Sequence, residues 1–250
     1  MSTANGYFEA YVNSRAYRPS AEDAALIAAA TTLARQVVAG SQLHWAGSQR
    51  KGTAVVGSDL DLCLASNTPV TEAQRRALRE GLQRGLGRDA VVLSHAVRLP
   101  AQDGRPKVDI AFANAAFGSR PLPDVAAFHD RRARQATARA LKLWTRGGSL
   151  PHLAGWTIEA MVLHLDPQGN ERVPLELFRK VVGWLLVSAS PSVVEGVLRP
   201  AAHPRWNPAW SNKLPGQIEA VKNHARALGR RAPQPESWRS ADDVGAWLGQ

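Results

Sequence analysis

Three acidic residues set the chemistry this sequence can perform. Asp59 and Asp61 stand two apart in Ser58-Asp59-Leu60-Asp61-Leu62, and in an extended strand that spacing puts both carboxylates on one face, α-carbons roughly 6.6 Å apart. Leu60, Leu62 and Leu64 alternate with them and call for burial on the opposite face. Two carboxylates so placed repel by up to about 3 kcal/mol at an effective dielectric near 20, so a positive charge belongs between them. Magnesium is the natural candidate, a hard ion that takes one or two carboxylates and completes its octahedron with water and substrate phosphates. Asp109, in Lys107-Val108-Asp109-Ile110, is the candidate third carboxylate. From a neighbouring strand it would allow two ions about 3.5 to 4 Å apart, the arrangement that activates an attacking hydroxyl and steadies a leaving phosphate.

Upstream of this strand, Gly47-Ser48 ends a short apolar run, Leu43 to Ala46. Backbone N–H groups in such a turn, together with the serine hydroxyl, can line a nest for terminal phosphates. Arg50, Lys51, Gly52 and Thr53 form a basic loop in which Lys51 is either a phosphate contact or a solvated side chain.

The elements that must hold these residues follow from periodicity. Ser20 caps a helix over 21 to 39 that Gly40 stops, and 71 to 87 is a second amphipathic helix. Strands are expected at 43 to 48, 59 to 65, 91 to 99 and 107 to 113. Together they make an α/β (α+β) lobe with a small mixed sheet backed by helices. After Arg120-Pro121-Leu122-Pro123 alternating runs disappear, and apolar residues recur at helical spacing in 124 to 146, 155 to 165, 175 to 187 and 217 to 228. A catalytic lobe over 1 to 120 and a helical lobe over 121 to 250 are therefore expected, with a linker at 232 to 237 and a terminal helix from about Ser240.

Composition narrows the setting. In 250 residues there is one cysteine, Cys63, which excludes an intramolecular disulfide framework and a Cys-rich zinc site. The longest apolar stretch, Val181 to Ala189, is far short of the roughly 20 residues that span a bilayer, so a cytoplasmic protein with no membrane partner is expected. A formal charge of +10 and a sequence pI near 10.6 favour polyanionic partners, nucleoside triphosphates or nucleic acid. Arg131, Arg132 and Arg134 cluster ahead of Lys142 and form a candidate surface for phosphate or nucleic-acid contacts.

Gly47-Ser48, Lys51-Gly52-Thr53-Ala54, Ser58-Asp59-Leu60-Asp61-Leu62 and Val108-Asp109 resemble the signature of the DNA polymerase β-like nucleotidyltransferase superfamily. They look most like the 2′-5′ oligoadenylate synthetases and the bacterial cyclic GMP-AMP-synthase-like nucleotidyltransferases, and less like the archaeal-type CCA-adding enzymes. The resemblance covers roughly residues 40 to 165, because Ala138 to Trp144 and Ala154 to Val162 look like the family's donor-binding helix pair. It implies that Asp59, Asp61 and Asp109 hold two magnesium ions, for which manganese can substitute. It also implies that Arg139 and Lys142 grip the donor triphosphate beside Gly47 and Ser48, and that Trp156 stacks on the base. Arg139 and Lys142 are three apart on one helical face, as a shared ligand requires. Two positions depart from the pattern: Gln49 stands where an aromatic is usual, and Gly155 where a polar side chain often touches phosphate or base.

The expected activity is template-independent transfer of a nucleoside monophosphate, with ATP the expected donor, to a ribose hydroxyl. The expected product is an oligonucleotide or cyclic-nucleotide signal of the kind made in antiviral defence, with RNA or DNA as activator or acceptor. A second reading keeps the fold and makes the acceptor a tRNA end, a protein or a small molecule. A third is an inactive nucleic-acid-binding protein, which three intact carboxylates argue against.

Overall fold

The structure, a computed structural model, describes residues 3–114, 123–146, 153–202 and 208–250. The chain divides into two compact units, one of residues 17–126 and one of residues 1–16 with 127–250.

The first unit is built on five strands: β1 (Gln42–Trp45), β2 (Leu60–Ser66), β3 (Val91–Val92), β4 (Ala96–Leu99) and β5 (Val108–Asn114). Their order is β1-β2-β5-β4-β3, with β2 and β5 parallel and every other pair antiparallel. The sheet is mixed because β2 and β5 are joined through a helix and a hairpin, the longer connection that parallel neighbours need. Leu60, Leu62 and Leu64 are at most 2% exposed and pack with Leu26, Ala30 and Ala34 of α2 (Ala21–Val37) and Leu78 and Leu82 of α4 (Glu72–Leu86). Each buried leucine stabilises the fold by roughly 1.5 to 3 kcal/mol, which fixes the β2 register and sends Asp61 to the opposite face. Both helices start on capping boxes, Ser20 with Asp23 and Thr71 with Gln74. The expected single strand over 91 to 99 is instead the β3–β4 hairpin, since Leu93 N–H donates to Ala96 O at 2.8 Å and Ser94-His95 occupy the turn.

The second unit is helical. Its elements are α1 (Thr3–Ser14), the end of α5 (Pro123–Phe128, whose first four residues belong to the sheet unit), α6 (Arg132–Arg146), α7 (Gly155–Leu165), α8 (Pro174–Val187), α9 (Pro191–Ala202), α10 (Pro208–Leu228) and α11 (Ala241–Leu248). The helix expected over 124 to 146 is two, because Asp130 takes a left-handed φ of 55°. The expected linker at 232 to 237 contains a short 3-10 turn, and Ser240 caps α11 in a box with Asp243.

The division of the chain also corrects the expected lobe of 1 to 120. The sequence carries no alternation or cap that distinguishes α1, yet α1 packs with the helical unit. Phe8 lies 5.5 Å from Phe178 and stacks at 6.5 Å on Trp238, and Asn5 Oδ1 accepts from the Leu175 N–H at 3.3 Å. The Arg120-Pro121-Leu122 part of the expected boundary lies outside the described residues. Among the described residues no helix is long and apolar enough to cross a membrane.

Candidate active site

The sheet turns its second face into a charged array. Parallel pairing sets Asp61 of β2 beside Asp109 of β5, and antiparallel pairing sets Arg98 of β4 on the other side of Asp109. One step earlier along the same strands, Asp59 and Lys107 face each other, the Leu60 N–H donating to Lys107 O at 2.8 Å. The period of two that aligns Asp59 with Asp61 therefore also aligns Lys107 with Asp109.

The positive charge that the aspartates require is thus supplied from within. Lys107 Nζ is 2.6 Å from Asp59 Oδ2 and 3.7 Å from Asp109 Oδ2. Arg98 donates from Nε and Nη2 to the two oxygens of Asp109 at 2.7 and 2.9 Å, a bidentate pair whose carboxylate holds the guanidinium above the usual arginine range. Sequence reasoning missed both cations. The signal for Lys107 was present in its spacing from Asp109, but a lysine at a strand edge reads as solvated.

Gly47 and Gln49 shape the array from below. α3 (Gly47–Lys51) opens at Gly47 with φ +51°, and a β-carbon there would come within 2.1 Å of Asp61 Oδ2. Only glycine lets the carboxylate lie against this backbone. Gln49, read from sequence as a missing aromatic, donates from Nε2 to Asp59 O at 2.5 Å, and its Oε1 accepts from Asp61 N–H at 3.4 Å. The amide spans the backbone of the two aspartates and ties α3 to the start of β2. Ser48 and Lys51 sit half-buried on α3, so the expected Gly-Ser turn and basic loop are a short helix.

Three carboxylates on one face, two of them abreast, are a hard oxygen donor set that suits magnesium. As they stand, no three acidic, histidine or cysteine side chains among the described residues converge tightly enough to form a finished cage, since Asp59 and Asp109 are turned to Lys107 and Arg98. The ammonium and the guanidinium already offset two of the three carboxylate charges, so a metal ion entering here competes with them.

In the helical unit, Arg139 and Lys142 are both buried on α6. Lys142 Nζ pairs with Glu159 Oε1 of α7 at 2.8 Å, both side chains at most 6% exposed. Gly155 leaves room for that lysine: a β-carbon would meet Lys142 Cε at 3.2 Å. Arg139 Nη2 donates to Asn13 Oδ1 at 2.6 Å, and burial pulls its guanidinium below the ordinary range. Trp156 is half-buried in the first turn of α7. Glu159 was not singled out from sequence, where it reads as one polar position in an apolar helix.

The expected Arg131-Arg132-Arg134 surface is corrected in part. Arg134 is 4% exposed. Its Nε donates to Asp166 Oδ2 at 3.0 Å and its Nη1 to Ala127 O at 2.5 Å, while Nη2 reaches Asp166 O. A partner 32 residues away satisfies it, so it is not available to an external phosphate. Arg131 is half-buried, with Nη1 3.4 Å from Gly169 O, and Arg132 is exposed.

A five-stranded mixed sheet backed by two helices, with paired aspartates on its other face and a helical unit around it in sequence, is the fold of the polymerase β-like nucleotidyltransferase superfamily. Solved structures of that superfamily share it. The GLD-2 non-canonical poly(A) polymerase, solved with GLD-3, matches at a TM-score of 0.69 and 12% identity, over 100% of this chain and 98% of that one. The Cid1 poly(U) polymerase, in an H336N form bound to MgATP, matches at 0.68 and 14%, over 99% and 98%. A cytoplasmic RNA terminal U-transferase matches at 0.57 and 14%, over 76% and 72%. No protein-family model and no curated sequence matches the chain.

Proposed function

We propose that this chain is a template-independent, divalent-metal-dependent nucleotidyltransferase that moves a nucleoside monophosphate from a nucleoside triphosphate to the terminal ribose hydroxyl of an RNA. The observation that carries the reading is the register of Asp61 against Asp109 on parallel strands, with Asp59 on the same face. In the proposed roles, Asp59 and Asp61 would hold both ions, and Asp109 would help to hold the one that activates the acceptor hydroxyl. Bound magnesium would supply the charge that lowers the acceptor hydroxyl's pKa and neutralises the departing pyrophosphate. Gln49 fixes the backbone from which Asp59 and Asp61 project. Within the sheet unit, Gly47 and Ser48 are proposed as donor-phosphate contacts; within the helical unit, the motif resemblance supports Arg139 and Lys142 as phosphate ligands and Trp156 as a base platform, with Lys142 exchanging the Glu159 carboxylate for phosphate oxygens. The domain roles follow: the sheet unit does the chemistry and the helical unit selects the donor.

The neighbours, by the names they carry, add U or A to RNA, and this supports an RNA end as acceptor. A signalling oligonucleotide or cyclic nucleotide for antiviral defence is supported by the motif resemblance alone. One experiment separates the two. Labelled NTPs and magnesium are incubated with and without an RNA oligonucleotide, following pyrophosphate and the labelled product. RNA-dependent extension is expected; pyrophosphate release without RNA, with a small labelled product, would favour the signal. Asp61→Asn should cut turnover by about 3 to 4 kcal/mol of transition-state stabilisation, in the range of a lost charged contact at a reacting centre, with the circular dichroism unchanged. Near-native turnover in that variant would remove the metal assignment.

A further inference from the structure

Lys107 is placed differently from Arg98, the other cation seen against these carboxylates. Its backbone is pinned, since Leu60 N–H donates to its carbonyl at 2.8 Å, but its side chain, a flexible stem with the ammonium at its end, is 30% exposed. That head group lies against the carboxylate just ahead of β2 and one on β5, Asp59 at 2.6 Å and Asp109 at 3.7 Å. Arg98 contrasts with it: a planar fork bonded to both oxygens of a single carboxylate is a fixed pairing.

The charges explain what the lysine does. Asp59, Asp61 and Asp109 with Lys107 and Arg98 make five charges that sum to −1. One divalent cation added with the lysine in place would take the cluster to +1, and a second to +3. Like charges within a few ångströms in a partly dry site repel strongly. Either the ammonium leaves the carboxylates when metal enters, or negative charge arrives with the metal.

We propose that Lys107 is a resident counter-ion of the aspartate site, holding the two strands' carboxylates together in the metal-free protein and yielding its place when a divalent cation arrives with a triphosphate. Metal alone must then displace the ammonium into solvent and binds weakly. Metal with a triphosphate offers the displaced ammonium phosphate oxygens and binds tightly, so loading of the site is coupled to the donor. The inference rests on the proposed function, and it goes further in assigning to this chain a residue that sets when the site fills.

The test measures Mn2+ binding to the intact protein by electron paramagnetic resonance, with and without a non-hydrolysable triphosphate analogue, alongside thermal unfolding in EDTA and in Mn2+. Lys107→Met keeps the stem and removes the charge. It should bind Mn2+ alone about tenfold more tightly than the wild type, because no ammonium competes. Its melting temperature should fall in EDTA, where the carboxylates are left to repel, and return to the wild-type value in Mn2+. The analogue should strengthen Mn2+ binding more in the wild type than in the variant. Lys107→Arg, which restores a cation, should return Mn2+ affinity toward the wild-type value, and Lys107→Gln gives a second neutral variant if the methionine perturbs folding. Equal or weaker Mn2+ binding in both neutral variants, with clear binding in the wild type, would overturn the role of Lys107 and leave the function standing. Absence of Mn2+ binding in every protein, analogue present or not, would overturn both.

Discussion

Lys142 shows how a single residue changes meaning between sequence and structure. Its spacing from Arg139 points to a triphosphate, yet its ammonium is closed in an ion pair with Glu159, with both side chains at most 6% exposed. Removing one member of such a pair strands the other charge in a poor solvent, at a cost of about 3 to 5 kcal/mol. Lys142→Ala is therefore expected to lower the urea midpoint sharply, and a fall in nucleotide affinity in that variant would not by itself identify a ligand. The double variant Lys142→Met, Glu159→Leu should recover much of the lost stability, since an apolar pair of similar volume fits where the ions were. Triphosphate affinity, measured by calorimetry on that refolded background, should stay low. Recovery of both stability and affinity would take Lys142 out of the donor site.

The elements around the aspartates make a sharper comparison possible. Gly47 and Gly87 both take left-handed φ values, +51° and +62°, but a β-carbon at Gly87 meets nothing within 4 Å whereas one at Gly47 meets the Asp61 carboxylate. Gly87→Ala should cost about 1 kcal/mol, the ordinary penalty of that backbone, and leave turnover alone. Gly47→Ala should pay the same backbone penalty and also push Asp61 out of register with Asp109, so that turnover falls well beyond any loss in melting temperature. Equal turnover in the two variants would mean that the close approach does not shape the site. Much of this arrangement was legible in the sequence: the Asp59/Asp61 alternation, the apolar face of β2, the capping residue Ser20, and Asp109 on a neighbouring strand are local patterns that period and turn chemistry reveal. What local pattern cannot carry is pairing across distance. Arg134 reads as one of three surface arginines until Asp166, 32 residues on, is seen to hold it. The 91 to 99 run reads as one strand because Ser94 and His95 interrupt it without a Gly, Pro or Asn to mark the turn. Gln49 reads as a defect in a motif, because its value lies in two backbone atoms of another element.

At the scale of the whole molecule, charge is unevenly divided. The helical unit carries 18 basic and 11 acidic side chains, a net +7, and the sheet unit 13 and 10, a net +3. Binding to an RNA backbone through the helical unit should weaken steeply with salt, with a slope that counts the phosphates neutralised. Titrating a labelled RNA at several salt concentrations should show that slope reduced by about one for each contacting cation removed, in Arg131→Gln and Arg132→Gln. Arg134→Gln should instead lower stability, because Asp166 loses its partner. A slope unchanged in the first two variants would move the RNA path away from the start of α6. The division of the chain also sets an order of events during synthesis. Residues 17–126 are continuous, so the sheet unit has all of its parts as soon as they leave the ribosome. The helical unit does not: α1 is made first, yet Asn5 waits for Leu175, Phe8 for Phe178 and Trp238, and Tyr11 for Gly245, whose backbone lies so close to its ring that a β-carbon there would come within 2.8 Å. The face of α1 that carries Phe8, Tyr11 and Val12 thus stays without its partners until nearly the last turn of α11 has been translated, an interval in which that apolar face is open to contacts the finished fold does not make.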